Sequence, residues 1–208
     1  MGKNIVITIG RQNGSGGHEI GKRVAEELGI DFYDKSLIQM AAQKCGIHED
    51  IAKESEETAT SSLLYTLSTS AGFWNGMETE LPVTDRIYIA QAEIIKRVSG
   101  QTSCVIVGRC ADDILRKNPN CIRAFIHADM NFRLKRMEDL HHLSEERAMR
   151  EIKRMDKKRA NYYNYFTDHK WGAMDNYTVS INSAELGIDG AVSLLKHLYQ
   201  EKKALLDL

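Results

Sequence analysis

Residues 5–29 read IVITIGRQNGSGGHEIGKRVAEELG, and this stretch decides the fold. The apolar, β-branched run at 5–9 predicts a buried strand, and apolar residues recur at helical spacing after His18. Between the two, the small residues at 14–17 allow backbone N–H groups to converge on an anion at the start of the helix. The sequence therefore predicts a strand, a glycine-rich turn and a helix, which is the arrangement of a nucleotide-phosphate site.

The glycine-rich turn matches the P-loop pattern G-x-x-x-x-G-K-[ST] only in part. When Gly16 is aligned with the last glycine of the pattern, Gly17 replaces the phosphate-binding lysine and His18 replaces the magnesium-binding Ser or Thr. Arg11 or Lys22 could supply the missing charge, although Lys22 also fits a solvated helix position. His18 could bind an anion or only help to cap the helix. We expect the loop to bind nucleotide phosphates through Arg11, Gly14, Ser15, Gly16, Gly17 and His18.

Two alternative interpretations of the turn stay open at this point. A glycine-rich turn between a strand and a helix can serve tight packing alone. A dinucleotide-binding turn is disfavoured because its pattern, G-x-G-x-x-G, requires a third glycine where Glu19 stands, even though Asp34 lies at a suitable distance to reach a ribose.

Composition narrows the functional classes. The 208 residues include 28 basic and 29 acidic side chains, and the net charge of −1 gives no global field that would attract nucleic acid or an anionic membrane. No apolar run approaches the roughly 20 residues that cross a bilayer. The four cysteines form no C-x-x-C pair, which favours a reduced, cytoplasmic protein. We therefore expect a single domain with no nucleic-acid or membrane partner.

Strand and helix patterns alternate along the chain. Short apolar runs predict parallel strands at 5–9, 31–33, 104–107, 122–126 and 177–181. Apolar residues three and four apart predict helices at 19–28, 35–44, 86–98, 131–140, 145–162 and 190–202. The alternation predicts an α/β fold, a doubly wound parallel sheet of about five strands with flanking helices. Ligands of such a sheet bind beyond the carboxyl ends of the strands, where 10–17, Asp34, 108–109 and 127–129 fall.

Four segments, in order, resemble the P-loop nucleoside monophosphate kinases, and among them the cytidylate kinase-like family. They are GRQNGSGGHEIGKRVAEELGIDFYDKSLI at 10–38, VIVGRCADDIL at 105–115, FIHADMNFRLKRM at 125–137 and EIKRMDKKRANYY at 151–163. The first is similar to the family's opening segment, the second to its acceptor-side Gly-Arg turn, and the others to the segments around its lid. The resemblance implies a single P-loop kinase-like domain over 1–208, with a helical lid at 141–172 and an acceptor-side insertion at 47–83.

The chain also departs from cytidylate kinases at several positions besides Gly17 and His18. An Asp usually follows the Gly-Arg turn, and an Arg is expected soon after Asp34. The residues found at these two positions and at two of the lid arginines are Cys110, Met40, Met155 and Tyr162. The stretch at 55–83, rich in Ser, Thr and Gly, is either a substrate cover or a surface loop.

The resemblance assigns roles to two groups of side chains. Asp34, Arg109 and Arg136 are expected to bind the acceptor, although Asp34 also suits the cap of a following helix. Arg154, Lys157 and Arg133 are the expected catalytic cations, because lid arginines close over a triphosphate and exclude water. The alternative for the basic run at 150–159 is a solvated helix face.

These expectations converge on a phosphotransferase that moves the γ-phosphoryl group of ATP to a small acceptor, and the resemblance implies that this acceptor is a nucleoside monophosphate. The histidines and cysteines have no metal-ligand spacing, so we expect no protein metal site, and Mg²⁺ would arrive with the nucleotide. The missing lysine supports an alternative, a nucleotide or phosphate sensor that keeps the kinase fold without turnover. The sequence leaves the number of subunits open.

Overall fold

The computed structural model describes residues 4–34, 37, 40, 43 and 81–207. Its strands are β1 (Val6–Arg11), β2 (Asp31–Tyr33), β3 (Cys104–Val107), β4 (Cys121–His127) and β5 (Val179–Asn182). Its helices are α1 (Gly17–Leu28), α2 (Val83–Gln101), α3 (Ala111–Ile114), α4 (Met130–His141), α5 (Glu145–Phe166) and α6 (Ser183–Asp207). A 3₁₀ turn lies between α5 and β5 at Met174–Asn176.

The five strands form one parallel sheet in the order β2-β3-β1-β4-β5. β1 lies at the centre, where Val6 pairs with Cys104 of β3 on one side and with Cys121 of β4 on the other. Parallel strands are joined by crossover connections, which place helices on the faces of the sheet. The loop that follows β1 therefore opens at the middle of the carboxyl edge of the sheet.

Both faces of β1 are buried by helices. Val6 packs in one apolar cluster with Ile87 and Ile94 of α2, while Ile7 packs in a second cluster with Ile20 of α1 and residues of α6. Burial of each such side chain contributes about 1.5–3 kcal/mol relative to leaving it in water. The packing on two sides fixes β1, and with it the point from which the glycine-rich loop begins.

The predicted fold class is confirmed, and the strand bounds at 31–33 and 104–107 agree with β2 and β3. β5 begins at Val179 rather than at Tyr177, because the Tyr177 N–H donates to the Met174 carbonyl in the 3₁₀ turn. α6 includes a first turn from Ser183 that is interrupted at Gly187, whose φ of 69° and ψ of 170° are not helical, so the continuous helix after this break begins close to the predicted start at 190. The short helix α3 has too few residues to show a period, so the sequence did not predict it.

Two predictions fall largely on residues that the structure does not describe. The predicted helix at 35–44 lies outside the described residues except for 37, 40 and 43, and the predicted insertion at 47–83 lies outside them up to residue 80. Leu37 is buried in the cluster that contains Val6. Across the described parts of the chain, no helix combines the length and apolar character that a membrane crossing requires.

Candidate phosphate-binding site

The loop after β1 is shaped by a buried serine. The Ser15 hydroxyl donates to the carbonyls of Gln12 and Ile126 at 2.9 and 3.1 Å, and its own carbonyl accepts a 2.7 Å hydrogen bond from the Ser183 hydroxyl. These bonds fasten the loop to β4 and to the start of α6. Ser15 was expected to bind phosphate, and its side chain here orders the loop, while its backbone stays part of the candidate anion site.

Steric constraints explain why the loop carries glycine at several positions. Gly14 and Gly16 both have a φ of 79°, in the left-handed region that side chains disfavour. A Cβ at Gly14 would lie 2.9 Å from the Arg133 carbonyl oxygen, and a Cβ at Gly17 would lie 2.5 Å from Cβ of Arg11. Helix α1 begins at Gly17 with no described side chain capping it. Its first amides therefore lie next to a loop of small residues, in the geometry that suits an anion.

Three arginines from distant parts of the chain lie next to this loop. Arg11 ends β1, Arg109 follows β3 in a left-handed conformation with a φ of 60°, and Arg159 lies on α5. The Arg159 Nη1 donates to the Arg11 carbonyl oxygen at 3.2 Å, and the Arg11 guanidinium packs against Gly108. The three side chains thus gather positive charge beyond the carboxyl ends of β1 and β3.

The three arginines influence one another electrostatically. Burial lowers the pKa of Arg11, and the positive charges of Arg159 and Arg109 lower it further. Burial also lowers the pKa of Arg109 and of Arg159. Arginine nevertheless keeps its proton at neutral pH. The result is a group of like charges partly withdrawn from water. A bound polyanion would reduce the repulsion between them.

Asp34 is the carboxylate that faces these cations. Burial lowers the pKa of Arg11 and of Arg109, and the negative charge of Asp34 offsets part of this lowering. The Asp34 Oδ2 lies 2.7 Å from Nε2 of His18. The His18 ring meets Phe32 edge-on at a centroid distance of 5.5 Å. His18 and Asp34, predicted on opposite sides of the site, are therefore direct neighbours. The Asp34 carbonyl also accepts a 3.3 Å bond from the Leu37 N–H, which agrees with a role at the start of the next helix.

Asp156 on α5 joins the loop to two helices. One carboxylate oxygen accepts the Asn13 N–H at 2.7 Å, and the other pairs with Nη1 of Arg133 on α4 at 2.5 Å. The same Arg133 nitrogen also donates to the Asn13 carbonyl at 3.3 Å. Arg133 is buried, and its Nε has no partner among the described residues. The predicted catalytic cation Arg133 is thus engaged in holding the loop against α5.

The other predicted cations lie in two different environments. Arg154 is exposed and bonds Glu151 on its own helix with two contacts of 2.9 Å, and Lys157 is also exposed. Arg136 pairs with Glu19 in the first turn of α1 and lies beside Gly16. The structure therefore brings Arg109 into the cluster at β3, whereas Arg136 lies on the loop side and Arg154 and Lys157 face solvent. Their expected roles stay predictions.

Arg159 and Asp156 are the residues that sequence reasoning did not select. The buried residues of α5, Ala148, Ile152 and Tyr163, mark the face that packs on the domain. Asp156 follows Ile152 by four positions and Arg159 by seven, so the same helical spacing puts both on this face. That signal was present in the sequence, but the basic residues around it are numerous and mostly exposed.

The end of α5 is anchored by aromatic residues. The Tyr163 hydroxyl donates to the buried Asp112 carboxylate at 2.8 Å, and Phe166 stacks on Tyr88 of α2 with centroids 4.1 Å apart. Tyr162 lies near Arg109, whose positive charge lowers the pKa of the Tyr162 phenol while burial raises it more strongly. Packing of α5 against the domain is thus the observed role of these rings.

The described residues contain no group of three or more His, Cys, Asp or Glu side chains that could hold a metal ion. His18, at the position of the magnesium-binding Ser or Thr of the P-loop pattern, is paired with Asp34 instead. A divalent cation at this loop would have to take most of its oxygen ligands from nucleotide phosphates and water, as Mg²⁺ commonly does.

Comparison with known proteins agrees with this architecture. The model of the cytidylate kinase-like family matches residues 6–185. An uncharacterized protein from Eubacterium ventriosum, known from a crystal structure, is 30% identical, with 95% of this chain and 99% of that chain covered and a TM-score of 0.70. A sugar kinase from a Janibacter species is 13% identical over 98% of each chain, with a TM-score of 0.51, a likeness of fold alone. A shikimate kinase from Bacteroides thetaiotaomicron is 16% identical over 94% of this chain and 98% of its own, with a TM-score of 0.49. No functionally curated protein shows a significant match.

Proposed function

We propose that this chain, which belongs to the cytidylate kinase-like family, is a phosphotransferase. It would move the γ-phosphoryl group of ATP to a nucleoside monophosphate. The observation that carries the proposal is the convergence of Arg11, Arg109 and Arg159 beside the glycine-rich loop. Phosphoryl transfer depends mostly on positioning and charge neutralisation. A cationic cluster next to the first amides of α1, which no described side chain caps, supports that chemistry.

The donor would bind at the loop. Amides of residues 14–18 and the positive end of the α1 dipole would hold the phosphates of ATP, with Mg²⁺ coordinated by those phosphates. The left-handed Gly14 and Gly16 support this assignment, since they let the backbone approach an anion closely. His18, exposed in the first turn of α1, would lie at the edge of this site.

The acceptor would bind on the side of β3. Arg109 leaves the Gly-Arg turn next to Asp34 and Arg11, and its planar fork suits the phosphate of a monophosphate. An oxygen of that ionised phosphate would attack the γ-phosphorus of ATP. The bond from that phosphorus to the β–γ bridging oxygen would break, and its electron pair would leave on ADP, so the step needs no proton to be removed.

Helix α5 would act as the lid. Arg159 already faces the loop, and closure of the lid over bound ATP would recruit Arg154 and Lys157. Arg133 would hold the loop in place through Asp156, and Arg136 would support the start of α1 through Glu19. The buried free thiols of Cys104, Cys110 and Cys121 suit the reducing cytoplasm, where we place the protein.

Thermal unfolding tests this function directly. A ligand that binds only the folded protein raises its Tm. We expect ATP with Mg²⁺ and one of CMP, UMP, AMP, dCMP or GMP each to raise Tm, and the same pair to produce ADP in a steady-state assay. Binding without ADP formation for any acceptor would favour the sensor, and absence of both would remove the proposal.

Crystals grown with sulfate supply a second test. We expect density for the anion within hydrogen-bond distance of the amides of residues 14–18. A loop that stays closed on itself at saturating sulfate would contradict the donor site.

A further inference from the structure

We propose that Arg11 takes the place of the P-loop lysine and neutralises the phosphoryl group in transit, so that Gly17 is a glycine because Arg11 occupies the space of its side chain. The inference rests on the proposed function and names the group that performs one part of it. It concerns a residue whose side chain starts at the end of β1 rather than at the first turn of α1.

The first argument is steric. A Cβ at Gly17 would lie 2.5 Å from Cβ and 3.1 Å from Cγ of Arg11, and 3.2 Å from Cβ of Ile126. Side-chain carbon atoms do not approach that closely without displacement. The position that carries lysine in the P-loop pattern is therefore filled from outside by the stem of Arg11.

The second argument is the path of the side chain. The stem of Arg11 passes Gly17, and its guanidinium ends against Gly108, where a Cβ would collide with Nη1. Gly17 on α1 and Gly108 after β3 thus flank one arginine at its two ends. Both positions lack a side chain where Arg11 passes; at Gly17 the contact with Arg11 explains the glycine, while Gly108 also has a φ of 79°, which favours glycine by itself.

The third argument is the position of the positive charge of Arg11. The stem of Arg11 passes Gly17 of the loop, which would hold the donor phosphates, and its guanidinium lies against Gly108, the residue before Arg109, which would hold the acceptor phosphate. Arg159 approaches from α5 and bonds the Arg11 carbonyl. The transferred group must pass between donor and acceptor, so Arg11 lies where negative charge is exchanged. The oxygens of that group gain a bidentate donor that a lysine could not provide.

In chemical terms, Arg11 forms no bond to phosphorus. The γ-phosphorus leaves the bridging oxygen of ADP and joins an oxygen of the acceptor, and Arg11 stays protonated while it donates to the oxygens of the moving group. The swap of a lysine for an arginine from the preceding strand keeps the positive charge that transfer requires. It also explains how a loop that ends in Gly-Gly-His could support turnover.

The test measures binding of ATP and of ADP by calorimetry in the full-length protein, without acceptor, together with kcat for ADP formation. Arg11→Met keeps the stem and removes the charge. We expect ATP affinity to fall about ten- to a hundredfold, ADP affinity to change less than about threefold, and kcat to fall at least a hundredfold. Lys22→Met is the matched control, because Lys22 is an exposed cation one turn into α1 that pairs with Glu26.

A swap of the two positions sharpens the test. Gly17→Lys alone should weaken ATP binding, because its side chain meets Arg11. Arg11→Gly with Gly17→Lys, which rebuilds the P-loop pattern and removes the two closest contacts of the new side chain, should bind ATP at least tenfold more tightly than Arg11→Gly alone. A purely structural role for Arg11 predicts no such recovery, since the double variant changes the packing at two positions.

The outcomes separate the two proposals. A parent protein that binds no ATP overturns the proposed function and this inference with it. A parent that binds and turns over, while Arg11→Met behaves like Lys22→Met, overturns this inference alone, as would equal losses for ATP and ADP. If Arg11→Met does not fold, Arg11→Lys carries the same comparison: it should retain most ADP affinity and lose about tenfold in ATP affinity, and unchanged ATP affinity or equal losses for both ligands would overturn the inference.

Discussion

The two faces of helix α5 carry the same kinds of residue and do different things. On the outer face, Arg154 pairs with Glu151 one turn away, and both side chains remain in contact with water. On the inner face, Asp156 and Arg159 bond to Asn13 and Arg11 of a loop far away in the sequence. Ion pairs in water contribute little, whereas charges withdrawn from water act strongly on their neighbours. Charge composition alone therefore says little about the role of a basic helix, and the face on which each charge lies says much more.

The largest expected difference between the faces is in stability. Asp156→Ala leaves the buried Arg133 without its carboxylate, and we expect the free energy of unfolding to fall by about 3 kcal/mol. Glu151→Ala, on the outer face, should cost less than about 1 kcal/mol. Urea unfolding of both variants measures this contrast. Equal losses of unfolding free energy would mean that the contacts of Asp156 with the loop stabilise the protein no more than the surface pair of Glu151 does.

The second contrast concerns turnover. Arg159→Met should lower kcat about a hundredfold, because this cation already faces the loop. Arg154→Ala with Lys157→Ala removes two charges from the outer face and should lower kcat no more than about tenfold, by weakening the closed state. Steady-state assays with ATP and the preferred acceptor measure which variant loses more kcat. A greater loss in the outer-face variant would show that α5 turns as it closes.

The third contrast separates acceptor from donor. Arg109→Lys keeps the charge and loses the planar fork, so we expect monophosphate affinity to fall about tenfold and ATP affinity to change less than about twofold. Arg97→Lys on the exposed side of α2 is the control for the same substitution. Calorimetry with each ligand alone gives both numbers. Equal weakening of ATP would place Arg109 at the donor phosphates instead.

The smallest expected effect is a pH dependence at the end of α5. Burial raises the pKa of Asp112, and the hydrogen bond from Tyr163 lowers it only in part. The folded protein therefore holds a proton that the unfolded chain releases, so stability should fall as pH rises from about 4, near the unfolded pKa, through the folded pKa. Asp112→Asn should flatten this slope, while the exposed Asp139→Asn should not. Urea midpoints across the acid range measure it, and parallel slopes in all three proteins would contradict the prediction.

The sequence predicted the sheet and the loop because both depend on local patterns. The run at 5–9 alternates between two apolar clusters, and the glycines at 14 and 16 are required by backbone conformation, so each leaves a signal within a few residues. Arg109 was also predictable, since a residue at the end of a buried strand reaches the carboxyl edge of the sheet.

The partners across the loop could not be predicted in the same way. The bond from Asn13 to Asp156 joins residues 143 positions apart, and the contact between Arg11 and Gly17 depends on the direction of one side chain. The helical pattern of α5 tells which residues share a face, but it does not tell which loop that face meets. Tertiary packing settles this choice, and for that reason Arg154 and Lys157 were expected where Arg159 is found.

Asp156 has a thermodynamic consequence for ligand binding. Its two oxygens bind the Asn13 amide and the Arg133 guanidinium at once. The conformation of the loop and the contact between α4 and α5 are therefore thermodynamically coupled. Linkage is reciprocal: a bound phosphate that ordered the loop would stabilise the contact between α4 and α5, and a more stable contact would favour phosphate binding by the same free energy. If the loop binds phosphate as we propose, a carboxylate that does not contact the anion would thus contribute to the affinity.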